Sequence, residues 1–149
     1  LIGGTGDDNF IVRDVGSTVY DGSLGAGGSD VDTVDFSKIA NATNKRVNVD
    51  LGHDNLDGTY GKFQFDDGSG TYNDIVGTTF IGIEGAIGGA GDDTITGTTA
   101  ANSLVGGTGD DTLRGNGATT GVDYLNGGEG GETTGDFVSF SNQTSNITI

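Results

Sequence analysis

The side chains with the clearest chemical potential in this chain are aspartates held at one place in short glycine-rich turns. Gly88 to Thr96 (GGAGDDTIT) and Gly106 to Arg114 (GGTGDDTLR) both follow G-G-x-G-x-D-x-U-x, where U is a large apolar residue. The sixth place is Asp93 or Asp111, and the eighth is Ile95 or Leu113. The unit between them, Gly97 to Val105, keeps its first glycine and the apolar Leu104 but carries Asn102 at the sixth place. Glycines at the first, second and fourth places let the backbone wrap tightly with its carbonyls turned inward. The carboxylate then adds the negative oxygen that a hard cation such as calcium prefers. Each turn reads as half a calcium site, with Gly88, Gly89, Gly91 and Asp93 in one and Gly106, Gly107, Gly109 and Asp111 in the other.

The segment that positions each turn must be short. The x-U-x after the aspartate has room for a strand of about three residues, whose single apolar side chain points into a narrow core. The D-x-U register recurs at Asp8 and Phe10, Asp32 and Val34, Asp93 and Ile95, Asp111 and Leu113, Asp123 and Leu125, and Asp136 and Val138. A flexible linker would have no reason to keep these offsets. The pattern resembles the RTX repeats of bacterial secreted proteins. The resemblance implies an all-β fold, a right-handed parallel β-roll (a β-solenoid) with several Ca2+ ions between stacked turns.

Under that resemblance, turns two units apart stack on one edge: Gly88–Asp93, Gly106–Asp111, and then Gly127 to Asp136, a loop lengthened by Gly131 to Thr134. Gly127, Gly128, Gly130 and Asp136 are its expected site residues. On the other edge Gly97 to Asn102 faces Gly115 to Asp123, where Ala118 to Thr120 are inserted. There Asn102 offers a neutral oxygen, Gly121 keeps the turn glycine, and Asp123 is the carboxylate, so weaker binding is expected. Near the start, Gly3 to Ile11 (GGTGDDNFI) fits the motif in full, giving Gly3, Gly4, Gly6 and Asp8. Gly27 to Asp35 forms a further unit with Asp30 in place of the fourth glycine and Asp32 at the sixth place.

Composition points the same way. Only 32% of the 149 residues are apolar and 31 are glycine, which is a poor supply for a conventional core. The formal charge of -16 argues against nucleic acid or an anionic membrane as partner and makes divalent cations the natural countercharge. Glu84, Glu129 and Glu132 are the only glutamates, so the acidity belongs to short-armed aspartates in tight turns. With no cysteine, bound calcium takes the stapling role that disulfides have elsewhere. No stretch has the length of a membrane span. The chain begins with Leu1, and it is expected to be a piece of something longer.

Three regions are expected: calcium turns over 1–35, an irregular β-layer over 36–87, and calcium turns again over 88–149. In the middle region, Val47-Asn48-Val49-Asp50-Leu51 and Phe63-Gln64-Phe65 alternate as half-buried strands, and Asp66 to Gly70 reads as the turn between strands. Five aromatics, Tyr60, Phe63, Phe65, Tyr72 and Phe80, supply a small layer packed on the roll. Phe80 to Gly85 leads back into the repeats. Asn9 to Arg13 is expected as the first strand, and no window has helical periodicity.

A longer repeat overlies the short one. Leu1 to Asp8 (LIGGTGDD) matches Leu104 to Asp111 (LVGGTGDD) at an offset of 103 residues, and Asp32, Val34, Phe36 and Ser37 match Asp136, Val138, Phe140 and Ser141 at 104. The parent is therefore expected to carry a tandem array, with neighbouring repeats as partners and head-to-tail self-association of the piece through Gly3–Asp8 and Asn146–Ile149.

Catalysis finds little support. His53 is the only histidine, and no G-x-S-x-G elbow or activated nucleophile is recognisable. The adjacent carboxylates Asp7/Asp8, Asp66/Asp67 and Asp92/Asp93 suit metal ligation better than acid–base work. Lys38, Lys45, Arg46 and Lys62 fall within 25 residues, a patch able to grip an anionic polysaccharide such as a uronate. The reading is a non-catalytic, calcium-dependent structural module of a large secreted repeat protein, of the adhesin, surface-layer or matrix-filament kind. Export by a type I channel and folding outside the cell follow from the resemblance. The alternative is an accessory repeat module of a secreted alginate epimerase, protease or lipase. Asp93→Ala and Asp111→Ala are each expected to weaken calcium binding and lower the melting temperature more than Asp54→Ala or Asp57→Ala. Calorimetric titration and thermal melts of the four variants check this.

Overall fold

A computed structural model describes residues 1–16, 18–22, 30–52, 62–116 and 122–140. Among them the chain is all-β, with thirteen short strands and no helix. In chain order these are β1 (Asn9–Ile11), β2 (Val19–Asp21), β3 (Thr33–Asp35), β4 (Arg46–Asp50), β5 (Lys62–Asp66), β6 (Asn73–Asp74), β7 (Thr79–Ile81), β8 (Gly85–Gly89), β9 (Thr94–Thr96), β10 (Ser103–Gly107), β11 (Thr112–Arg114), β12 (Tyr124–Gly128) and β13 (Phe137–Ser139). The expected first strand is shorter than Asn9–Arg13, although Val12 N–H still donates to Asp35 O at 2.8 Å. The expected strand at 47–51 runs one residue earlier, with Leu51 N–H still bonded to Thr96 O at 2.9 Å.

The strands form three sheets. One has five strands in the order β1-β3-β8-β10-β12, all parallel. A second runs β13-β11-β9-β4-β5-β6, parallel as far as β4 and antiparallel beyond it. The third pairs β2 with β7, and Ile2 bridges to Asp21 at its edge. From β8 onward, consecutive strands alternate between the five-stranded and six-stranded sheets. A parallel neighbour is thus reached only after a pass through the other sheet, which is why 18 residues separate the paired Gly85 and Ser103.

Register explains how so short a strand can hold a core. The central residue of each x-U-x faces its counterpart: Phe10 with Val34, Val34 with Ala86, Ala86 with Leu104, and Leu104 with Leu125. In the other sheet Val49 faces Ile95, Ile95 faces Leu113, and Leu113 faces Val138. Val34, Val49, Ala86, Ile95, Leu104 and Leu113 are completely buried and belong to one apolar cluster shared by the sheets. The flanking residues on each strand point the other way, so the core is one side chain deep per strand.

The strands of the 36–87 stretch are hydrogen-bonded into this frame: β4 lies beside β9, and β8 lies between β3 and β10. Here an aromatic set substitutes for the thin aliphatic ladder. Phe36 packs on Phe63 with ring centroids 4.7 Å apart and on Phe80 at 6.3 Å, Phe80 stacks on Tyr20 at 5.7 Å, and Tyr20 meets Phe10 edge-on at 5.9 Å. Phe36 is fully buried and touches rings from two separate strands, so it joins the antiparallel flank to the parallel ladders. Tyr60, also expected in this layer, lies outside the described residues. Phe36→Ala should cost about 3–5 kcal/mol and lower the thermal midpoint of the calcium-loaded protein. Thermal unfolding followed by circular dichroism at fixed calcium checks this.

Candidate metal centre

Two columns of turns run along the edges of the sheets, and in each the sixth-place side chain is the connecting piece. On the edge leading out of the five-stranded sheet, the order is the 36–45 loop, Gly88–Asp93, Gly106–Asp111 and Gly127–Asp136. Asp93 Oδ1 accepts from Val47 N at 2.7 Å, Asp111 Oδ1 from Asp93 N at 2.8 Å, and Asp136 Oδ1 from Asp111 N at 2.9 Å. Asp111 and Asp136 thus bind the backbone of the preceding turn, and Asp93 binds that of β4. The 36–45 loop, which has no sixth-place aspartate, starts the column by placing Ala40 O against Ala90 N at 2.7 Å.

The edge leading into the five-stranded sheet repeats the arrangement with different side chains. Asp32 Oδ1 accepts from Asp8 N at 2.9 Å, Glu84 Oε2 from Asp32 N at 3.2 Å, and Asp123 Oδ1 from Asn102 N at 3.0 Å. Asn102 accepts through Oδ1 from Thr98 N at 2.9 Å, and its Nδ2 donates to Glu84 O at 3.2 Å and Thr98 Oγ1 at 3.1 Å.

Glycine at the first place of each turn is required by the carboxylate itself. A methyl group added to Gly88 would collide with Asp93 Oδ2 and Gly106 O, and one on Gly106 would collide with Asp111 Oδ2 and, at 2.5 Å, with Gly127 O. The same contact joins Gly3 to Asp8, Gly22 to Asp32, Gly97 to Asn102, Gly115 to Asp123 and Gly127 to Asp136. Second- and fourth-place glycines serve stacking. Gly107 and Gly109 have φ of 125° and 120°, in the region closed to most side chains, and the backbone of Gly89 and Gly91 lies directly beneath them.

The structure therefore gathers Gly88, Gly89, Gly91, Asp93, Gly106, Gly107, Gly109, Asp111, Gly127, Gly128, Gly130 and Asp136 into one column. Gly3, Gly4, Gly6, Asp8, Asp30, Asp32, Asn102 and Asp123 lie along the other. Gly27, Gly28 and Gly121 fall outside the described residues. Two participants escaped the sequence reading. Gly22 seats Asp32 from ten residues away, and the only hint was an Asp-Gly pair closing β2. Glu84 stands in the sixth-place position of a turn without the G-G-x-G signature, where an acidic residue two before the small core residue Ala86 was the available signal.

The fifth-place aspartates do something else. Asp92 Oδ1 accepts from Asp110 N at 3.0 Å, Asp7 Oδ1 from Val31 N at 2.8 Å, and Asp110 receives the amides and hydroxyls of Thr133 and Thr134 and the amide of Gly135. Those donors hold the Asp110 carboxyl well below the usual carboxylate range. The adjacent pair at Asp66/Asp67 is likewise not a ligand pair: buried Asp66 binds Arg46 through Nη2 and Nε at 2.5 and 3.2 Å and caps Gly68 and Gly70. Arg46, foremost, depresses its pKa. Arg46 also lies 5.1 Å from the ring centroid of Tyr72, so part of the basic patch is engaged within the protein.

The sixth-place carboxylates of the first column behave in the opposite way. Asp93 and Asp111 are both fully buried. Burial, aided by neighbouring carboxylates, raises Asp93 to about 8 and Asp111 to about 7. Asp111 Oδ2 and Asp8 Oδ2 are buried without a hydrogen-bond partner. Among the described residues no three acidic or histidine side chains converge into a metal cluster. The oxygens that do converge are one carboxylate with backbone carbonyls such as Gly106 O, an all-oxygen set of the kind calcium accepts. These residues fit the ion.

The fold and the oxygen-lined turns define an all-β calcium-binding repeat segment. Residues 87–119 match the family model described as RTX calcium-binding nonapeptide repeat (4 copies), so this stretch is an RTX repeat and Ca2+ is its ion. No curated protein and no solved structure matches the chain.

Protonation supplies the metal-free chain with a substitute for the cation. The folded-state pKa values of Asp93 and Asp111 lie above the ordinary 3.8, so their contribution to stability is full below about pH 4 and is lost as pH rises through about 7 and 8. Calcium-free protein should accordingly be most structured in acid and loosen toward pH 8, and saturating calcium should remove that dependence. Circular dichroism across pH, with and without calcium, checks both.

Proposed function

We propose that the chain is a non-catalytic, calcium-dependent structural module of a large secreted bacterial tandem-repeat protein, of the adhesin, surface-layer or matrix-filament kind. Its repeats coil as a β-roll that closes when calcium is met outside the cell. The observation that carries this reading is the Asp93–Asp111–Asp136 column. Its two inner carboxylates are buried, linked through backbone amides, and among the described residues have no cationic side chain as a hydrogen-bond partner. Burying such groups is unfavourable unless a charge compensates them, and a divalent ion shared by stacked turns does so. We assign the ion ligands to the sixth-place carboxylates and turn backbones of the two columns. The division into 1–35, 36–87 and 88–149 is part of the same proposal.

Several features support the extracellular role. RTX repeats are typical of secreted bacterial proteins, and among the described residues no helix is long and apolar enough to cross a membrane. A charge of -16 on 149 residues opposes compaction where calcium is scarce, and millimolar calcium outside a cell saturates even sites with affinities on the order of 10⁻⁴ M. The 103-residue internal repeat favours a structural array over an accessory module of an epimerase, protease or lipase. Lys38 and Lys45 in the 36–45 loop are where an anionic polysaccharide would be gripped.

Removal of calcium at pH 7.5 should expand the protein and abolish most of its β signal, with full recovery on re-addition and a midpoint in the micromolar to millimolar range. Small-angle scattering with circular dichroism over a calcium titration measures this. A chelated chain that stays compact and β-structured overturns the reading.

A further inference from the structure

Asn102 sits in the calcium column at a step built unlike its neighbours. At the other described steps, the sixth-place side chain is an acceptor for a backbone amide of the neighbouring turn or strand: Asp8 to Asp32, Asp32 to Glu84, Val47 to Asp93, Asp93 to Asp111, Asn102 to Asp123 and Asp111 to Asp136. Asn102 reverses the direction. Its Oδ1 takes the place of Asp93 Oδ2, lying over the first glycine of its turn and accepting from the next amide, Thr98 N at 2.9 Å, as Asp93 Oδ2 accepts from Gly89 N at 2.6 Å. Its Nδ2 stands where Asp93 has its second oxygen, and it donates to Glu84 O of the preceding turn and to Thr98 Oγ1 of its own.

The orientation of this amide is fixed by its surroundings. Exchanging the nitrogen and oxygen would put an NH2 against the Thr98 N–H and an oxygen against Glu84 O, losing these bonds together. Asn102 is 4% exposed, so water does not compensate. Both amide hydrogens and one oxygen lone pair are therefore used inside the protein. The neighbouring Glu84 side chain is already engaged with Asp32 N.

We propose that Asn102 is an ion substitute, and that the step between the Glu84 turn and the Gly97–Asn102 turn is closed without calcium. The two N–H groups of the amide bond to Glu84 O, which also accepts from Ser103 N at 3.0 Å, and to Thr98 Oγ1, so the polar atoms around this side chain are paired without a cation. Thr98 completes the device, because its hydroxyl occupies the second amide hydrogen. The second-place residue is glycine in the turns that carry Asp93, Asp111 and Asp136. The ion column on this edge is thereby divided into a part before Asn102 and a part after it. The opposite edge runs through Asp93, Asp111 and Asp136 without such a break.

This inference rests on the proposed calcium binding of the other turns, and the experiment separates the two. Bound calcium is counted by native mass spectrometry on the wild-type chain, Asn102→Asp and Asn102→Ala at saturating calcium. The count should be unchanged in Asn102→Ala and higher by one in Asn102→Asp, whose new carboxylate recreates an aspartate turn. A count lower by one in Asn102→Ala makes Asn102 a ligand and overturns the proposal, as does an unchanged count in Asn102→Asp. A wild-type chain that binds no calcium overturns the functional reading itself. A readout that needs no variant is the Asn102 side-chain NH2 in NMR spectra of the calcium-loaded protein. Two slowly exchanging protons are expected, and rapid exchange with water overturns the proposal.

Discussion

A buried carboxylate that caps the backbone of the turn before it is the constraint on which the rest of this structure depends. The x-U-x strands are too short to fix their own register, since three residues yield few ladder bonds and one core side chain. The register is set at the edge instead, where Asp111 and Asp136 each hold the amide of the preceding turn and Asp93 holds that of Val47 in β4, at 2.7 to 2.9 Å. The same side chain excludes any Cβ from the first glycine of its turn. Aspartate, glycine and apolar residue are thus one unit seen from three sides: the glycine makes room for the carboxylate, the carboxylate aligns the strand, and the strand buries the apolar residue.

That economy has a physical limit, and the 36–87 stretch shows how it is met. Where the glycine turns give out, core volume comes from rings, with Phe36 between Phe63 and Phe80 and the chain of contacts continuing to Tyr20 and Phe10. Charge is neutralised there by protein groups, as in the pairing of Arg46 with buried Asp66. The two solutions meet in one sheet, because β4 has an antiparallel partner on one side and a parallel one on the other.

The repeats were legible because their chemistry is local in sequence. A carboxylate that needs glycine five residues earlier and an apolar residue two later leaves a signature that survives without any alignment, and it led directly to Asp93, Asp111 and the ladder of Ile95 and Leu113. What escaped was what lengthens or replaces the turn. Gly22 lies ten residues from the Asp32 it serves, so no fixed offset betrays it, and Glu84 takes a sixth-place position through a turn of another kind. The pairing of Asp66 with Arg46 was not legible either, because adjacency to Asp67 says nothing about an arginine twenty residues away. The direction in which the Asn102 amide points also has no trace in the sequence, since it depends on a carbonyl eighteen residues earlier.

Sheet membership has one more consequence. The sequence repeat equates β1 with β11 and β3 with β13, yet β1 and β3 belong to the five-stranded sheet while β11 and β13 belong to the six-stranded one. Likewise Ile2 bridges to the two-stranded sheet, whereas its counterpart Val105 lies in β10 of the five-stranded one. Copies of one sequence unit therefore fall in different sheets. The same short motif can thus be built into either sheet, so a copy in the sequence does not fix the sheet that its strand joins.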